Sequence, residues 1–462
     1  MIAAVFLAVL IVVMLIAAAS GASTGPLPVA ELIVLIALFC LFFGAGVYVA
    51  AVLGVLGLIL GFAFSDRPFW LAIGQMIWAP SANFILVAIP LFLLMGEIML
   101  RAGLSEKLYR ALNLFLYRLP GGLLHTNILS CAVFSAVSGS SVATAATMGS
   151  VALPYFKGTA YSPRMVLGSL AAGGALGNLI PPGITFILYG LLTDTSVGKL
   201  YLAALGPSLL VMVLFLLVIA AHGLRARRAP HGAAVAVPKP DITFARSLID
   251  LLPTVILIGM VLGTIYAGLA TPTESAAFGV VGAVLFALIE RRLNWRLMHE
   301  ACVATARTTS MIGLIVLGAF MLNYILTGIE VPQKLAKLVS ELPIPPWAIM
   351  LLIIGFYLAL GTFMEGFSMI ITTIPVIFPV VKALGYDPIW FGVIVTMLVE
   401  IALISPPDGT VLYVLQGMRP DRGSITDVFW GVLPFLGVYI AAVLVLLVAP
   451  EIALWLPQAM DR

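Results

Sequence analysis

Polar residues are so sparse along this chain that the informative pattern is where the apolar runs are interrupted. Runs long enough to cross a hydrocarbon core of roughly 30 Å, which takes about 20 helical residues, recur from one end to the other. They predict about a dozen membrane segments. The stretch 121–154 fits neither one span nor two, because its 34 residues are too many for the first and too few for the second with a turn. Both of its flanks are basic. A re-entrant hairpin with limbs of about 14 residues satisfies length and sidedness together, and it puts the tip at Ser138, Gly139, Ser140 and Ser141.

The remaining runs read as two short spans within 31–64, separated near 44–46, and further spans over 83–100, 165–192, 200–221, 251–270, 275–289, 308–327 and 428–449. Lys and Arg gather in 101–118, 157–164, 225–246 and 291–307, which the positive-inside rule makes cytoplasmic. The same argument, more weakly, assigns 419–422 to that side. The stretch 328–346 is charge-neutral, as an external loop should be.

An internal repeat explains this layout. Shifting the sequence by 225 positions superimposes Thr147 on Thr372, Pro154 on Pro379, Lys157 on Lys382, Tyr161 on Tyr386 and Pro163 on Pro388 without a gap. Pro181-Pro182 falls on Pro406-Pro407 at the same offset. Because the first hairpin enters from the cytoplasm and its counterpart, 346–379, follows an external loop, the repeats are expected to be inverted. Secondary transporters built this way place their sites between the repeats, on discontinuous helices.

Composition narrows the function classes. Of 462 residues, 62% are hydrophobic and only 9% charged, far below the quarter or so typical of soluble domains. A net charge of +3 is too small and scattered to suggest nucleic acid. Cys40, Cys131 and Cys302 lie in separate apolar runs without metal-type spacing, so they read as packing residues. Residues 1–20 lack the basic start of a signal peptide and read as an extra membrane helix rather than a cleaved leader. The expected division is therefore 1–22 extra helix, 30–222 first half, 223–250 cytoplasmic loop, 251–450 second half and 451–462 tail.

Candidate chemistry falls on the interruptions. In LGNLIPPGITFILYG (176–190) two prolines open a helix inside a span, and a simple kink is the alternative reading. Freed carbonyls at such a break can coordinate a cation. The hairpin string SGSSVATAATMGSVALP (138–154) supplies hydroxyls at Ser138, Ser140, Ser141, Thr144 and Thr147, and the matching GTFMEGFSMIITTIP (361–375) supplies Thr362, Glu365, Ser368, Thr372 and Thr373. Carboxylates in apolar segments are functional candidates by default: Glu97, Glu274, Glu365, Glu400 and Asp408. Glu365 and Asp408 suit either ion coordination or hydrogen bonds to broken helix ends, whereas Glu97 and Glu274 suit caps or interfaces. No catalytic or nucleotide-binding motif is present, so a membrane enzyme or a scaffold is the remote alternative.

At these motifs, together with ATPTESAAFG (270–279), GYDPIWFGVI (385–394) and EIALISPPDGTVLYV (400–414), the chain resembles the large membrane subunit (DctM-like) of tripartite ATP-independent periplasmic (TRAP) transporters from about residue 31 onward. The resemblance implies an all-α polytopic, elevator-type importer with two re-entrant hairpins and two discontinuous helices, about 165–192 and 389–417. It implies a bacterial inner-membrane location, Na+ as coupling ion and no other cofactor. The implied partners are a small TRAP membrane subunit, a periplasmic substrate-binding protein, and an organic acid anion as cargo: a dicarboxylate, keto or hydroxy acid, or sugar acid. Carried over by position, the Na+ candidates are Ser138, Ser140, Gly177, Asn178, Pro181, Gly361, Thr362, Pro406, Asp408 and Gly409. The substrate candidates are Ser141, Thr144, Thr147, Glu365 and Thr372. One departure stands out, since the family commonly has Ser after the first Pro-Pro where this chain has Gly183. A stand-alone dicarboxylate symporter or exchanger of related hairpin architecture is the nearest alternative.

Overall fold

The computed structural model describes residues 37–39, 41, 42, 45, 47–65, 68–228, 242–362, 364–419, 421 and 423–460. The expected extra helix at 1–22 and Cys40 lie outside them. Every regular element described is helical, and seven helices are long and apolar enough to cross a membrane. The chain is thus an all-α polytopic membrane protein.

The first half runs α1 (Val49–Phe64), α2 (Ile73–Ser81), α3 (Ala88–Arg101), α4 (Leu104–Leu116), α5 (Leu123–Ser138), α6 (Ser141–Phe156), α7 (Pro163–Gly174), α8 (Ile184–Thr193) and α9 (Val197–Arg228). After α10 (Phe244–Tyr266) come α11 (Pro272–Ile289), α12 (Trp295–Gly328), α13 (Val331–Glu341), α14 (Pro346–Leu360), α15 (Gly366–Ala383), α16 (Pro388–Ile404), α17 (Thr410–Met418), α18 (Ile425–Val448) and α19 (Glu451–Met460). Adding 225 to the bounds of α1 gives 274–289, to α4 gives 329–341, to α8 gives 409–418 and to α9 gives 422–453, which fall on α11, α13, α17 and α18. The repeat therefore extends well beyond the matched motifs, carried by helix lengths rather than by identities. Among the described residues, α2 and α3 depart from the correspondence, since their counterpart α12 is continuous. Asn83 explains the interruption, because its side chain accepts from the Ile85 N–H (3.0 Å) and starts a new turn.

Several bounds differ from expectation. The segment 223–250 is not wholly a loop: α9 continues to Arg228 and α10 starts at Phe244, where Thr243 caps it. Residues 451–460 form α19, which packs on α9 where Gly206 leaves room for the Ile452 carbonyl. The first break opens at Ala175, whose carbonyl accepts from Tyr439 Oη (3.2 Å).

Polar contacts fix the sidedness of the parts. The Leu123 N–H donates to Tyr161 Oη (3.3 Å), so the start of α5 and the chain beyond α6 lie at one end, as a hairpin requires. At that end Arg101 pairs with Glu300 (3.0 Å) and Glu97 (3.0 Å), Lys107 with Glu290, and Arg110 with Asp250 (3.0 Å). Arg164, at the start of α7, pairs with Asp427 (3.0 Å), which also receives Arg419 beyond the end of α17 (3.0 Å). At the other end Tyr189 Oη, near the end of α8, donates to the Pro388 carbonyl that begins α16 (2.7 Å). The start of each broken helix thus lies beside the end of the other, and the two run antiparallel. Packing crosses over in the same way, with α8 against α15 and α17 against α6.

Candidate functional site

Hairpin 1 turns on two residues. Gly139 adopts φ +59° and Ser140 caps α6, and a Cβ at Gly139 would run into the Pro182 carbonyl. The tip is thereby seated on the first break: the Ile184 N–H, opening α8, donates to the Gly139 carbonyl (3.2 Å). Gly177 completes the fit, since a Cβ there would collide with the backbone of Ser140 and Ser141. Both Pro181-Pro182 and Pro406-Pro407 are cis.

Under this tip sits a buried polar network. Ser141 Oγ donates to the carboxylate of Glu400, 2.7 Å from each oxygen, and accepts from the Asn178 N–H (3.0 Å) and Nδ2 (2.9 Å). The Asn178 N–H also lies 3.3 Å from Glu400 Oε1. Ser141, Asn178 and Glu400 are all buried, Glu400 completely. The hydroxyl of Ser141 has its proton and both acceptor positions engaged, which makes it an anchor for the tip. Ser138 and Thr144 bond each other (2.7 Å), and Thr147 is buried one turn deeper on α6. Two helices outside the hairpin serve the carbonyls of this break. Tyr439 of α18 takes Ala175, and Ser208 of α9 lies 3.0 Å from Leu179 O.

The second half is built on the same plan with different chemistry. Glu365 occupies the position equivalent to Ser140 (140 + 225) and likewise caps its limb, accepting from the Ser368 N–H (3.1 Å) and Oγ (3.3 Å). Gly361 abuts Ala402 at the end of α16. Thr362 and Thr372 return their hydroxyls to the carbonyls of Ala359 and Ser368 (2.7 Å each). Pro406 is half-buried, Gly409 is buried, and Pro407 and Asp408 are exposed. The first site is largely buried, with Ser140 half-buried at its edge, whereas the second opens outward at Pro407 and Asp408.

The structure therefore brings Ser138, Ser140, Ser141, Thr144, Gly177, Asn178 and Pro181 into one assembly, with Thr147 lining α6 behind them. It keeps Gly361, Thr362, Glu365, Thr372, Pro406, Asp408 and Gly409 as a separate second assembly. Glu97 and Glu274 act as expected of interface and capping residues. Glu97 pairs with Arg101, and Glu274 completes a capping box with Thr271 (2.8 and 3.3 Å). Sequence reasoning counted Glu400 among the intramembrane carboxylates but gave it no place in the site, and it missed Tyr439 and Ser208 altogether. It also missed Thr185 and Thr410 (185 + 225), whose hydroxyls are buried without a partner on the first turns of α8 and α17, as is Asn178 Oδ1. The break explains Gly183 too: a Cβ there would meet the Asn178 carbonyl. Two cavities of about 500 and 190 Å³ lie elsewhere, between the α1–α3 region and α12.

Comparison with known proteins places this geometry. The family described as tripartite ATP-independent periplasmic transporter, DctM component, matches residues 29–452. A C4-dicarboxylate TRAP transporter large permease protein from Pseudomonas aeruginosa is 33% identical over 82% of this chain and 87% of its own length. A sialic acid TRAP transporter large permease protein from Vibrio cholerae is 30% identical over 81% and 87%. Among solved structures, the YdaH transporter of Alcanivorax borkumensis superimposes with a TM-score of 0.60 at 17% identity, covering 91% of this chain and 99% of that one. At that identity the likeness concerns the fold.

Proposed function

The chain belongs to the DctM-component family of TRAP transporters and is a multi-pass large permease subunit rather than an enzyme; from that premise we propose that it imports an organic acid anion driven by sodium. The observation that carries this reading is the antiparallel pair of broken helices, each with a hairpin tip packed beside it. Such breaks present backbone carbonyls and helix termini inside the membrane, where cations and anions respectively bind. In the first half the unpartnered oxygens of Asn178 and Thr185 add acceptors suited to a desolvated Na+, and Thr410 offers the equivalent in the second.

The charge pattern supports the pairing of cargo and ion. Hairpins and broken helices, 121–193 and 346–418, contain only Lys157, Arg164 and Lys382 as Lys or Arg, and all three fall toward helix ends. A carboxylate substrate would find no buried guanidinium there, so bound Na+ offsets its charge. The wider exposure of Pro407 and Asp408 makes the second site the entry for cargo, and hairpin and broken helices move together as the carrying body of an elevator. The word tripartite in the family description supports two partners, a small membrane subunit and a periplasmic protein that delivers the acid, in the inner membrane of a bacterium.

The test is uptake by the reconstituted complex, with its small subunit and binding protein, under an imposed sodium gradient. Replacing sodium by choline should reduce uptake to the level of empty vesicles. Unchanged uptake in choline would sink the coupling. A ligand screen on the partner binding protein, once identified, should name the acid, and sodium-driven uptake of that acid without a binding protein would favour a stand-alone symporter.

A further inference from the structure

Resting on the reading of an ion-coupled pathway, we infer that Glu400 is a positioning residue through which the second repeat holds the ion-binding loop of the first. Its place in the repeat shows why this is not part of the shared plan. The counterpart of Glu400 is Ala175 (400 − 225), which has no side chain to offer. Glu400 leaves α16 and crosses into the other half, where its two oxygens take the Ser141 hydroxyl at 2.7 Å and one of them lies 3.3 Å from the Asn178 N–H.

A buried carboxylate inside a membrane segment is costly, and this one contacts no cationic side chain among the described residues. Its hydrogen bonds are with the tip and the break. Ser141 is the N-terminal residue of α6, and Asn178 lies in the open backbone between α7 and α8. Both are hydrogen-bonded to the other half through Glu400. Tyr439 reinforces the arrangement from α18, another second-half helix, by holding the Ala175 carbonyl. The first site is therefore assembled by both repeats, whereas the second tip is capped by its own Glu365. A displacement of α16 relative to hairpin 1 would remove the anchor of Ser141 and free Asn178. Ion affinity in the first half thus follows the position of the second broken helix.

The experiment uses the reconstituted complex and compares Glu400→Ala, Glu400→Gln, Ser141→Ala and the double variant Glu400→Ala/Ser141→Ala. Half-saturating sodium is expected to rise about tenfold in Glu400→Ala, within the usual range of coupling between sites. Glu400→Gln retains an acceptor oxygen and should recover most of the affinity. The double variant should be no worse than Glu400→Ala, because the two groups form one contact. Hydrogen exchange of the same proteins should accelerate in peptides covering 138–143 and 176–180 and stay unchanged over 361–368. Effects of the two single substitutions that multiply, or exchange that is unaltered at 138–143, would overturn the inference. If Glu400→Ala does not yield folded protein, Ser141→Ala alone should raise half-saturating sodium and speed exchange at 138–143, and wild-type values for both would overturn the inference. Should the wild-type complex prove indifferent to sodium, the functional reading fails, while the exchange result still judges the role of Glu400.

Discussion

Alanine at Gly177 is expected to abolish transport while leaving the protein in the membrane. The added methyl would collide with the backbone of Ser140 and Ser141, and backbone cannot turn aside as a flexible side chain can. Overpacking of this kind costs about 1–3 kcal/mol, but its location matters more than its size. It pushes the hairpin tip off the break and pulls Asn178 away from Ser141 and Glu400. A loss of about 100-fold in uptake is expected, since small misplacements at a positioned site have effects of that order. Gly183→Ser should behave similarly, because its Cβ would meet the Asn178 carbonyl. Gly54 and Gly259 have open space where a Cβ would stand, so Gly54→Ala and Gly259→Ala should transport normally. Equal activity in Gly177→Ala and these controls would refute the tight docking of tip and break.

The second large effect concerns Asp250, whose carboxylate is almost wholly buried yet receives Arg110 (3.0 Å) from α4 and Arg246 (3.3 Å) from its own helix. Removing one arginine leaves the other in place. Removing both strands a buried charge, a change that typically costs about 3–5 kcal/mol. Arg110→Ala/Arg246→Ala is therefore expected to lower thermal stability in detergent by more than the two single losses combined. Replacing Asp250 by Asn in that background should restore much of the loss, since the stranded charge is gone. Scanning fluorimetry on the four proteins checks this, and additive single effects would count against the shared acceptor.

Much of this architecture was legible because membrane constraints act directly on residue type. The length of 121–154 together with basic flanks forced a hairpin, and the tip at Gly139 and Ser140 followed from small polar residues that have no business facing lipid. The Pro-Pro pairs marked both breaks. What escaped was set by contacts between distant segments. Nothing local distinguishes Tyr439 in an apolar span from any other tyrosine, yet its hydroxyl takes the carbonyl of Ala175, where the first helix ends. Glu400 announced itself by its charge, but its partners lie 259 and 222 residues away. Similarly, α4 and α13 match each other in amphipathic length but share no motif, so only the helix boundaries exposed the full extent of the repeat.

The ties at the ends of the two broken helices have a mechanical consequence. Arg164 and Asp427 join the beginning of one to the chain beyond the other, and Tyr189 joins the opposite ends to Pro388. Sliding either helix along its axis would break both fastenings at once, in opposite senses. The two fastenings therefore oppose shear between the broken helices, the buried Tyr189 contact more firmly than the exposed Arg164–Asp427 pair.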